Sequence, residues 1–442
     1  MRQRVRGCSM LRGQIEPPGD KSISHRALIL NSIARDWARI ENIAPGDDVC
    51  ATISCLRALG VEIDQDGEAL VVSGVGRAGF REPADVLHAG NSATTVRLLA
   101  GLLAAQPFLS IITGDESLRS RPMDRLIQPM RLMGAEIWGR GSNAFAPLAI
   151  KGSKLKGIDY RLPVASAQIK SAILIAALFA EGNTTITEPV PSRDHTERLL
   201  KAMGAELRRQ GTRINLTPTG SLVNIDVRVP GDISAAACWL VAGAIHPNAR
   251  IRVVNTGINP SRSGIIDVLK QMGAKLGVER VRRVGGEPVA DLEIESSNLL
   301  ATQIGGSLIP RLIDELPLIA LAGAFARGTT TIIDAQELRV KESDRIGATV
   351  RELSKLGVDI YELSDGMVIR GGGKAAEGER EKKLIGAECA SNHDHRLAMT
   401  LGIAALVAQG ETVIHDAEVV AMSYPNFWQE MERLVVTEMG ES

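Results

Sequence analysis

Aromatic residues are scarce in this sequence: Phe, Trp and Tyr make up only 3% of the 442 residues. The formal net charge is −1. Nucleic-acid-binding proteins stack bases on aromatic rings and follow phosphates with a positive surface. The two shortages therefore argue against a nucleic-acid partner, and the near-neutral charge argues against attraction to an anionic membrane. Any cationic site must be local.

Cysteines and long apolar runs are also few. The five cysteines show no CxxC spacing, and their odd number is typical of reduced thiols rather than of disulfides or zinc ligands. The longest apolar runs, residues 172–180 and 318–326, are shorter than the ~18 residues that a membrane-spanning helix needs. No apolar signal segment follows the early arginines. We therefore expect a cytoplasmic protein.

The chain is long enough for two or three domains, and an internal repeat divides it. A helical end in Leu or Met, a glycine and a short β-like segment recur at intervals of 69 to 84 residues. Glycine just past a helix adopts the left-handed conformation that ends the helix and starts a strand. The repeated glycines are Gly60, Gly134, Gly204, Gly273 and Gly357, and a final helix over residues 427–434 stands where a sixth copy would fall.

Small apolar helical segments alternate with this repeated motif of helix end, glycine and β-like segment. They lack a polar face, which predicts helices buried inside surrounding sheets. They span residues 27–34, 96–105, 172–180, 235–245, 318–326 and 401–408. Each unit thus contains a small-residue helix, a strand, a second helix, a glycine and a strand, and six units predict an α/β protein with three units in each of two domains. The alternative, a single Rossmann-like sheet, lacks GxGxxG after the first strand.

Polar and basic residues gather in the first turns of several inner helices. Helix N-termini offer free N–H groups and a positive dipole end, so several of them with cations attached would bind phosphates and carboxylates without a metal. For any single helix, a Ser or Asn that merely caps the N-terminus is the simpler interpretation. The residues are Lys21, Ser22, Arg26, Asn91, Ser92, Thr94, Thr95, Arg97, Ser166, Gln168, Lys170, His393, His395 and Arg396.

Five segments carry the chemistry, and together they resemble the enolpyruvyl transferases, in particular the branch that uses shikimate 3-phosphate as acceptor. The resemblance extends from about Leu11 to Leu434. The segments are residues 18–26 (PGDKSISHR), 89–97 (AGNSATTVR), 166–170 (SAQIK), 339–345 (RVKESDR) and 394–399 (DHRLAM).

The resemblance implies a two-domain inside-out α/β barrel with six βαβαββ repeats, three per domain, and helices buried inside the sheets. It implies one domain over residues 19–230 and a second formed by residues 1–18 plus 231–442, with the active site in the cleft between them. A monomer without metal or cofactor is the expectation from the family, with phosphoenolpyruvate and shikimate 3-phosphate as the binding partners.

The resemblance also implies the reaction: the enolpyruvyl group of phosphoenolpyruvate moves to the 5-hydroxyl of shikimate 3-phosphate and phosphate leaves, by addition and elimination. Asp314 would take the hydroxyl proton, Glu342 and Lys21 would handle the proton at the methylene carbon, and His395 would support Glu342. The implied shikimate 3-phosphate contacts are Lys21, Ser22, Arg26, Ser166, Ala167, Gln168, Arg193, Asp314 and Lys341. The implied phosphoenolpyruvate contacts are Lys21, Ala93, Arg121, Gln168, Glu342, Arg345 and Arg396.

Some of these positions have a structural alternative, and some depart from the commonest family pattern. Asp314 lies near a predicted helix N-terminus, where an acid often only stabilises the helix dipole. Ala93 stands where many relatives have glycine, and its methyl group predicts tolerance of glyphosate in a class II-like enzyme; simple packing in a helical turn is the alternative. Ala167 replaces a serine, Arg193 replaces a serine–tyrosine arrangement, and Met422 replaces a lysine and receives no role.

Three other functions remain open at this stage. A transferase acting on UDP-N-acetylglucosamine usually has a reactive cysteine on the loop spanning residues 114–121, and no cysteine occurs between Cys55 and Cys238. A non-catalytic anion-binding relative is disfavoured because Lys21, Asp314 and Glu342 are all present. An RNA-end-processing enzyme is disfavoured by the neutral charge and few aromatics.

Overall fold

The computed structural model describes residues 1–218, 220–372 and 384–436. The strands are β1 (Arg2–Arg6), β2 (Leu11–Ile15), β3 (Trp37–Glu41), β4 (Glu62–Asp66), β5 (Ala69–Ser73), β6 (Leu87–His88), β7 (Leu109–Thr113), β8 (Glu136–Gly139), β9 (Phe145–Lys151), β10 (Asp159–Arg161), β11 (Thr184–Thr187), β12 (Glu206–Gln210), β13 (Arg213–Thr217), β14 (Val227–Arg228), β15 (Ala249–Gly257), β16 (Lys275–Val284), β17 (Glu287–Glu295), β18 (Gln303–Ile304), β19 (Gly328–Ile332), β20 (Asp359–Leu363), β21 (Gly366–Gly371), β22 (Glu388–Ala390) and β23 (Glu411–His415).

The helices are α1 (Lys21–Ile33), α2 (Asp47–Ala58), α3 (Ala93–Leu103), α4 (Glu116–Arg119), α5 (Asp124–Leu132), α6 (Arg140–Asn143), α7 (Ala167–Ala177), α8 (His195–Ala202), α9 (Ile233–Ile245), α10 (Gly264–Gln271), α11 (Ile309–Leu312), α12 (Leu316–Ala324), α13 (Arg345–Lys355), α14 (His395–Ala405) and α15 (Phe427–Leu434). None of the helices in the described ranges is long and apolar enough to cross a membrane.

The chain divides into two compact units. The N unit consists of Gly19–Pro230 and Arg283–Glu287, and the C unit consists of Met1–Pro18, Gly231–Arg282 and the described residues from Pro288 on. The sequence-based division placed residues 283–287 in the carboxy-terminal domain. They group with the N unit, in which Glu287 accepts a hydrogen bond from His195 at 2.9 Å. Residues 373–383 and 437–442 of the expected carboxy-terminal domain lie outside the described residues.

Five sheets of four strands share one pattern, in which a parallel pair of strands is extended by an antiparallel hairpin. Their orders are β14-β3-β5-β4, β6-β7-β9-β8, β10-β11-β13-β12, β2-β15-β17-β16 and β18-β19-β21-β20, and the described strands of the sixth sheet run β1-β23-β22. The third sheet follows the chain as β10, α7, β11, α8, β12, β13, which is the βαβαββ order that the resemblance implied. The predicted fold class is therefore confirmed.

The six apolar helices form the cores of the units. All thirteen residues of α9 are buried, as are eleven of the thirteen residues of α1. Helices α3 and α7 cross closely at Gly101, where a Cβ atom would meet the Ala172 carbonyl oxygen at 2.3 Å. A side chain at position 101 would therefore force the two helices apart.

The repeated glycines end helices as predicted. Their φ angles lie between +83° and +105°, the left-handed region in which a side chain is strained. They follow α2, α5, α8, α10 and α13, and each leads into the next strand within two residues. Helix α15 spans Phe427–Leu434, as expected for a sixth copy, but Val436 stands where the other copies have the glycine.

Candidate functional site

Helix α1 begins with the first cationic motif of the N unit. The Asp20 carboxylate caps the helix by accepting a hydrogen bond from the Ile23 amide at 2.9 Å. Lys21 is the first helical residue, and its Nζ lies 2.7 Å from a carboxylate oxygen of Asp48 on α2. This ion pair keeps the Lys21 ammonium group at the positive end of the α1 dipole, where anions bind readily.

Arg26 lies one turn further along α1 and is only 3% exposed. Its guanidinium donates to Thr196 Oγ1 at 2.7 Å, to the Ser22 carbonyl oxygen at 2.8 Å and to Ser171 Oγ at 2.8 Å. Burial, followed by the charge of Arg193, lowers the pKa of Arg26 to about 10, so Arg26 is still a cation at neutral pH. These bonds join α1, α7 and α8 directly beneath Ser22.

The Ser-Ala-Gln motif forms the start of α7. Ser166 is the N-cap and accepts a hydrogen bond from the Ile169 amide at 3.4 Å, and Ala167 is the first helical residue. Gln168 donates to Thr94 Oγ1 at 2.8 Å and accepts a hydrogen bond from Arg97. The Gln168 amide thus joins the first turns of α3 and α7.

Ala93 and Arg121 lie around the start of α3. Ser92 caps this helix through the Thr95 amide, and Ala93 is its first residue and is 7% exposed. Arg121 donates to the Asn91 carbonyl oxygen at 3.3 Å, contacts the Asn91 side-chain oxygen and donates to Ser117 Oγ at 3.1 Å. Arg121 therefore fixes the loop that leads directly into Ala93.

Arg193 joins this group from the loop before α8. Its Nη1 lies 3.4 Å from Ser22 Oγ, which places the guanidinium at the start of α1. Within the N unit, the structure therefore brings Ser22, Arg26 and Arg193 together and joins Ala93, Arg121 and Gln168 through the first turns of α3 and α7.

His25, on the same helix as Lys21 and Arg26, is fully buried. Its Nδ1 lies 2.7 Å from Thr52 Oγ1, which lies 2.7 Å from Thr95 Oγ1. Burial, followed by the charges of Lys21 and Arg26, holds the pKa of His25 well below its ordinary value.

The depressed pKa of His25 predicts a loss of stability in acid. The unfolded chain binds this proton near pH ~6.5 and the folded chain does not, so the contribution is complete above that pH and falls as the pH drops below it. The loss approaches about 1.4 kcal/mol per pH unit. Urea unfolding at about pH 7.5 and about pH 5.5 should show a smaller pH effect for His25→Gln than for wild type. Equal pH effects in the two proteins would contradict the assignment.

Asp314 is the centre of the corresponding group in the C unit. It lies in a short 3₁₀ turn, Ile313–Glu315, immediately before α12. Its Oδ1 is 3.3 Å from Arg345 Nη1 and 3.8 Å from Lys341 Nζ, and its Oδ2 is 3.8 Å from Arg262 Nη2. Three cations, Arg262 and the two from the 339–345 segment, thus surround one carboxylate.

Arg345 faces three carboxylates and is 1% exposed. Its Nε lies 2.6 Å from Asp394, its Nη1 contacts Asp314 and its Nη2 contacts Glu342. Burial lowers the pKa of Arg345, but the negative charges of Asp394, Glu342 and Asp314 outweigh burial and raise it above its ordinary value. Arg345 therefore stays charged and orients both predicted proton-transfer residues.

The start of α14 supplies His395 and Arg396. Asp394 caps the helix through the Arg396 amide at 2.9 Å, and His395 is 2% exposed. Arg396 Nη1 lies 4.0 Å from Glu315 Oε1. The predicted support of Glu342 by His395 stays a prediction.

Sequence reasoning missed the buried pair that lies beside Asp314. Arg262 donates to both carboxylate oxygens of Glu315, at 2.6 and 2.9 Å, and contacts Ser234 Oγ. Arg262 and Glu315 are 53 residues apart, and no motif surrounds Arg262, so the sequence offers no signal for this pair. In the N unit, Asp48 was missed for the same reason, whereas Arg97 was noted at the start of its helix without a substrate role.

No group of three or more His, Cys, Asp or Glu side chains that could hold a metal ion occurs within the described parts of the chain. The five cysteines are all free thiols, and burial raises the pKa of Cys55 and Cys238 to about 12. Both groups are therefore built from arginine, lysine, carboxylates and amides, which suits the binding of anions and the transfer of protons.

Comparisons with known proteins show the family of the chain. A family model described as EPSP synthase (3-phosphoshikimate 1-carboxyvinyltransferase) matches residues 5–431. The chain is 50% identical over 427 residues to the 3-phosphoshikimate 1-carboxyvinyltransferase of Desulforamulus reducens, covering 96% of this chain and 97% of that protein. It is 53% identical over 429 residues to the protein of the same name from Synechococcus elongatus, covering 96% and 94% of the two chains.

Solved structures give the same result. The chain is similar to the structure of EPSP synthase from Acinetobacter baumannii, with a TM-score of 0.87 and 43% sequence identity. The similarity covers 99% of both chains.

Proposed function

Because the chain belongs to the EPSP synthase (3-phosphoshikimate 1-carboxyvinyltransferase) family, we propose that it transfers the enolpyruvyl group of phosphoenolpyruvate to the 5-hydroxyl of shikimate 3-phosphate. The other product is phosphate, and the enolpyruvyl ether leads to chorismate and the aromatic amino acids. The observation that carries the proposal is the group around Arg345, which contacts Asp314 and Glu342, residues predicted from separate motifs to move protons.

The proton steps follow from this group. Asp314 accepts the proton of the 5-hydroxyl group of shikimate 3-phosphate. At the same time, the hydroxyl oxygen forms a bond to the middle carbon of phosphoenolpyruvate. Glu342, together with Lys21, delivers a proton to the methylene carbon, which gives a tetrahedral adduct. The carbon–oxygen bond to phosphate then breaks, and loss of a proton from the new methyl group restores the double bond. His395 supports Glu342, and general acid–base help of this kind contributes roughly 10²–10⁴-fold per group.

The cations bind the two substrates. Lys21, Arg121, Arg345 and Arg396 hold phosphoenolpyruvate with Gln168, and Ser22, Arg26, Ser166, Ala167, Arg193 and Lys341 contact shikimate 3-phosphate. Guanidinium groups bind carboxylate and phosphate through paired hydrogen bonds, whereas lysine supplies a compact mobile charge. Most of the remaining acceleration comes from holding the two anions in line among fixed charges. No metal or cofactor takes part in these steps.

The test is phosphate release from phosphoenolpyruvate, measured with shikimate 3-phosphate and separately with UDP-N-acetylglucosamine. We expect release only with shikimate 3-phosphate. Release only with the nucleotide sugar would support the sister transferase, although residues 114–121 contain the short helix α4 and no cysteine. No release with either acceptor would leave an anion-binding protein without this activity.

We further propose that the enzyme tolerates glyphosate, acts as a monomer and is cytoplasmic. Ala93 is buried in the first turn of α3, beside the loop that Arg121 fixes. A methyl group at this place narrows the space for a ligand longer than phosphoenolpyruvate.

Ala93→Gly tests the tolerance directly. Removing the methyl group should lower the glyphosate concentration for half inhibition by on the order of tenfold, about the effect of one methylene group in a binding pocket. The KM for phosphoenolpyruvate should change much less. Inhibition curves of the two proteins at equal multiples of KM provide the comparison. Strong inhibition of wild type, or no shift in the variant, would contradict the assignment.

A further inference from the structure

Lys170 is a fully buried ammonium group in the N unit, two residues beyond Gln168 on α7. Its Nζ lies 2.7 Å from Glu197 Oε1 and 3.2 Å from Glu188 Oε2. The exposed fractions of the Lys170, Glu188 and Glu197 side chains are 0%, 0% and 4%. Arg209 completes the cluster at 3.3 Å from Glu197 and 3.5 Å from Glu188. Two cations thus face two carboxylates, which avoids leaving a buried charge unpaired.

The pair formed by Lys170 and Glu188 binds all the polar groups of Ser192. The Ser192 carbonyl oxygen accepts a hydrogen bond from Lys170 Nζ at 3.4 Å. The Ser192 amide donates to Glu188 Oε1 at 3.1 Å, and the Ser192 hydroxyl donates to the same oxygen. Because Ser192 is 3% exposed, water does not compete for these bonds.

Ser192 directly precedes Arg193, and no regular element fixes this part of the chain. The segment runs from the end of β11 to the start of α8 and contains Pro189 and Pro191, which lack an amide donor. The backbone of this segment is therefore held by contacts with side chains rather than by the hydrogen bonds of a helix or sheet. Glu188 precedes Arg193 in the chain and Glu197 follows it. Both carboxylates bind the Lys170 ammonium group, which therefore anchors the chain on both sides of Arg193.

We propose that Lys170 is a positioning residue for the acceptor substrate. Through Glu188, Ser192 and Glu197 it sets the place of the Arg193 guanidinium, whose Nη1 lies 3.4 Å from Ser22 Oγ. Because Lys170 lies on α7, the helix that Ser166 caps and that begins with Ala167 and Gln168 also fixes the arginine that recognises shikimate 3-phosphate. This inference rests on the proposed function and adds a residue that does not itself contact substrate.

The test compares Lys170→Met with wild type in steady-state kinetics. The methionine keeps the length of the side chain and removes its charge and hydrogen bonds. We expect the KM for shikimate 3-phosphate to rise on the order of tenfold or more, because a small misplacement of a binding group is costly. The KM for phosphoenolpyruvate should change less than about twofold. In an Arg193→Ala background, Lys170→Met should add little to the KM for shikimate 3-phosphate, since the group it positions is gone.

Two further variants keep the proposal testable if Lys170→Met does not fold. Ser192→Ala leaves the buried charges intact, removes one bond of Ser192, and should raise the same KM by a smaller factor. Ile150→Ala shortens a buried side chain of β9 and should leave both KM values unchanged despite lower stability.

Three outcomes would overturn the proposal. Equal changes in both KM values, or an undiminished effect of Lys170→Met in the Arg193→Ala background, would show a purely structural role. Absence of turnover by the wild-type chain would overturn this proposal together with the proposed function, whereas normal wild-type turnover with equal KM changes would overturn this proposal alone.

Discussion

Replacing Asp314 with asparagine should lower kcat by roughly 10²–10⁴-fold while the KM values stay within about threefold of wild type. The amide has the shape of the carboxylate, so it preserves the contacts of the 3₁₀ turn before α12, but it cannot accept the hydroxyl proton. Arg345 and Lys341, at 3.3 and 3.8 Å from Asp314, hold the native carboxylate in the place from which it accepts that proton. Initial rates of phosphate release at varied concentrations of each substrate separate kcat from KM.

Asp344→Asn is the matched control for this measurement. Asp344 lies one residue before Arg345, where its carboxylate pairs with Arg339 at 2.8 Å and caps α13. Its substitution should change kcat by less than about threefold, because an asparagine also caps helices well. Near-normal kcat in Asp314→Asn would refute the role of Asp314 as the base. Glu342→Gln tests the proton step at the methylene carbon in the same way.

The second large effect concerns stability. Arg345→Met should lower the free energy of unfolding by about 3–5 kcal/mol, because it leaves the carboxylates of Asp394, Glu342 and Asp314 without the guanidinium that all three contact. Turnover should be lost as well, since the same arginine orients both proton-transfer residues. Urea unfolding followed by circular dichroism measures the change in stability.

Arg339→Met supplies the comparison for that experiment. Arg339 also bridges two carboxylates, Asp344 and Glu362, but these side chains are 47% and 45% exposed. Water solvates such groups when their partner is removed, so the loss should be under about 1 kcal/mol. An equally small loss of unfolding free energy in both variants would contradict this account, because it would mean that the carboxylates around Arg345 do not depend on its guanidinium group.

Much of the fold could be predicted because it depends on local chemistry. The repeated glycines required a left-handed turn after a helix, and Gly60, Gly134 and Gly204 adopt it with φ of +89°, +105° and +87°. The apolar helices had no polar face, and they lie in the cores of the units. The sequence did not indicate which distant strands complete a sheet. Strand β14 closes the first sheet of the N unit beside β3, although β3 ends at Glu41 and β14 begins only at Val227.

Candidate site residues could be predicted only where they lie in a recognisable sequence motif. The resemblance predicted roles for Asp314, Glu342 and Arg345, and in the structure Arg345 contacts the other two within the C unit. It could not identify Arg262 or explain the burial of Lys170, because an ion pair between distant residues has no periodicity and no sequence signature. Lys170 and Glu197 are 27 residues apart, and only folding shows that they pair.

The central claim is that the enolpyruvyl group of phosphoenolpyruvate is transferred to shikimate 3-phosphate while phosphate is released. Mass spectrometry of a reaction containing phosphoenolpyruvate and shikimate 3-phosphate, run beside a phosphate assay, tests it most directly. The account predicts one molecule of enolpyruvyl ether of shikimate 3-phosphate for each phosphate released, with no pyruvate. Phosphate and pyruvate in equal amounts, with shikimate 3-phosphate unchanged, would show hydrolysis and contradict the account.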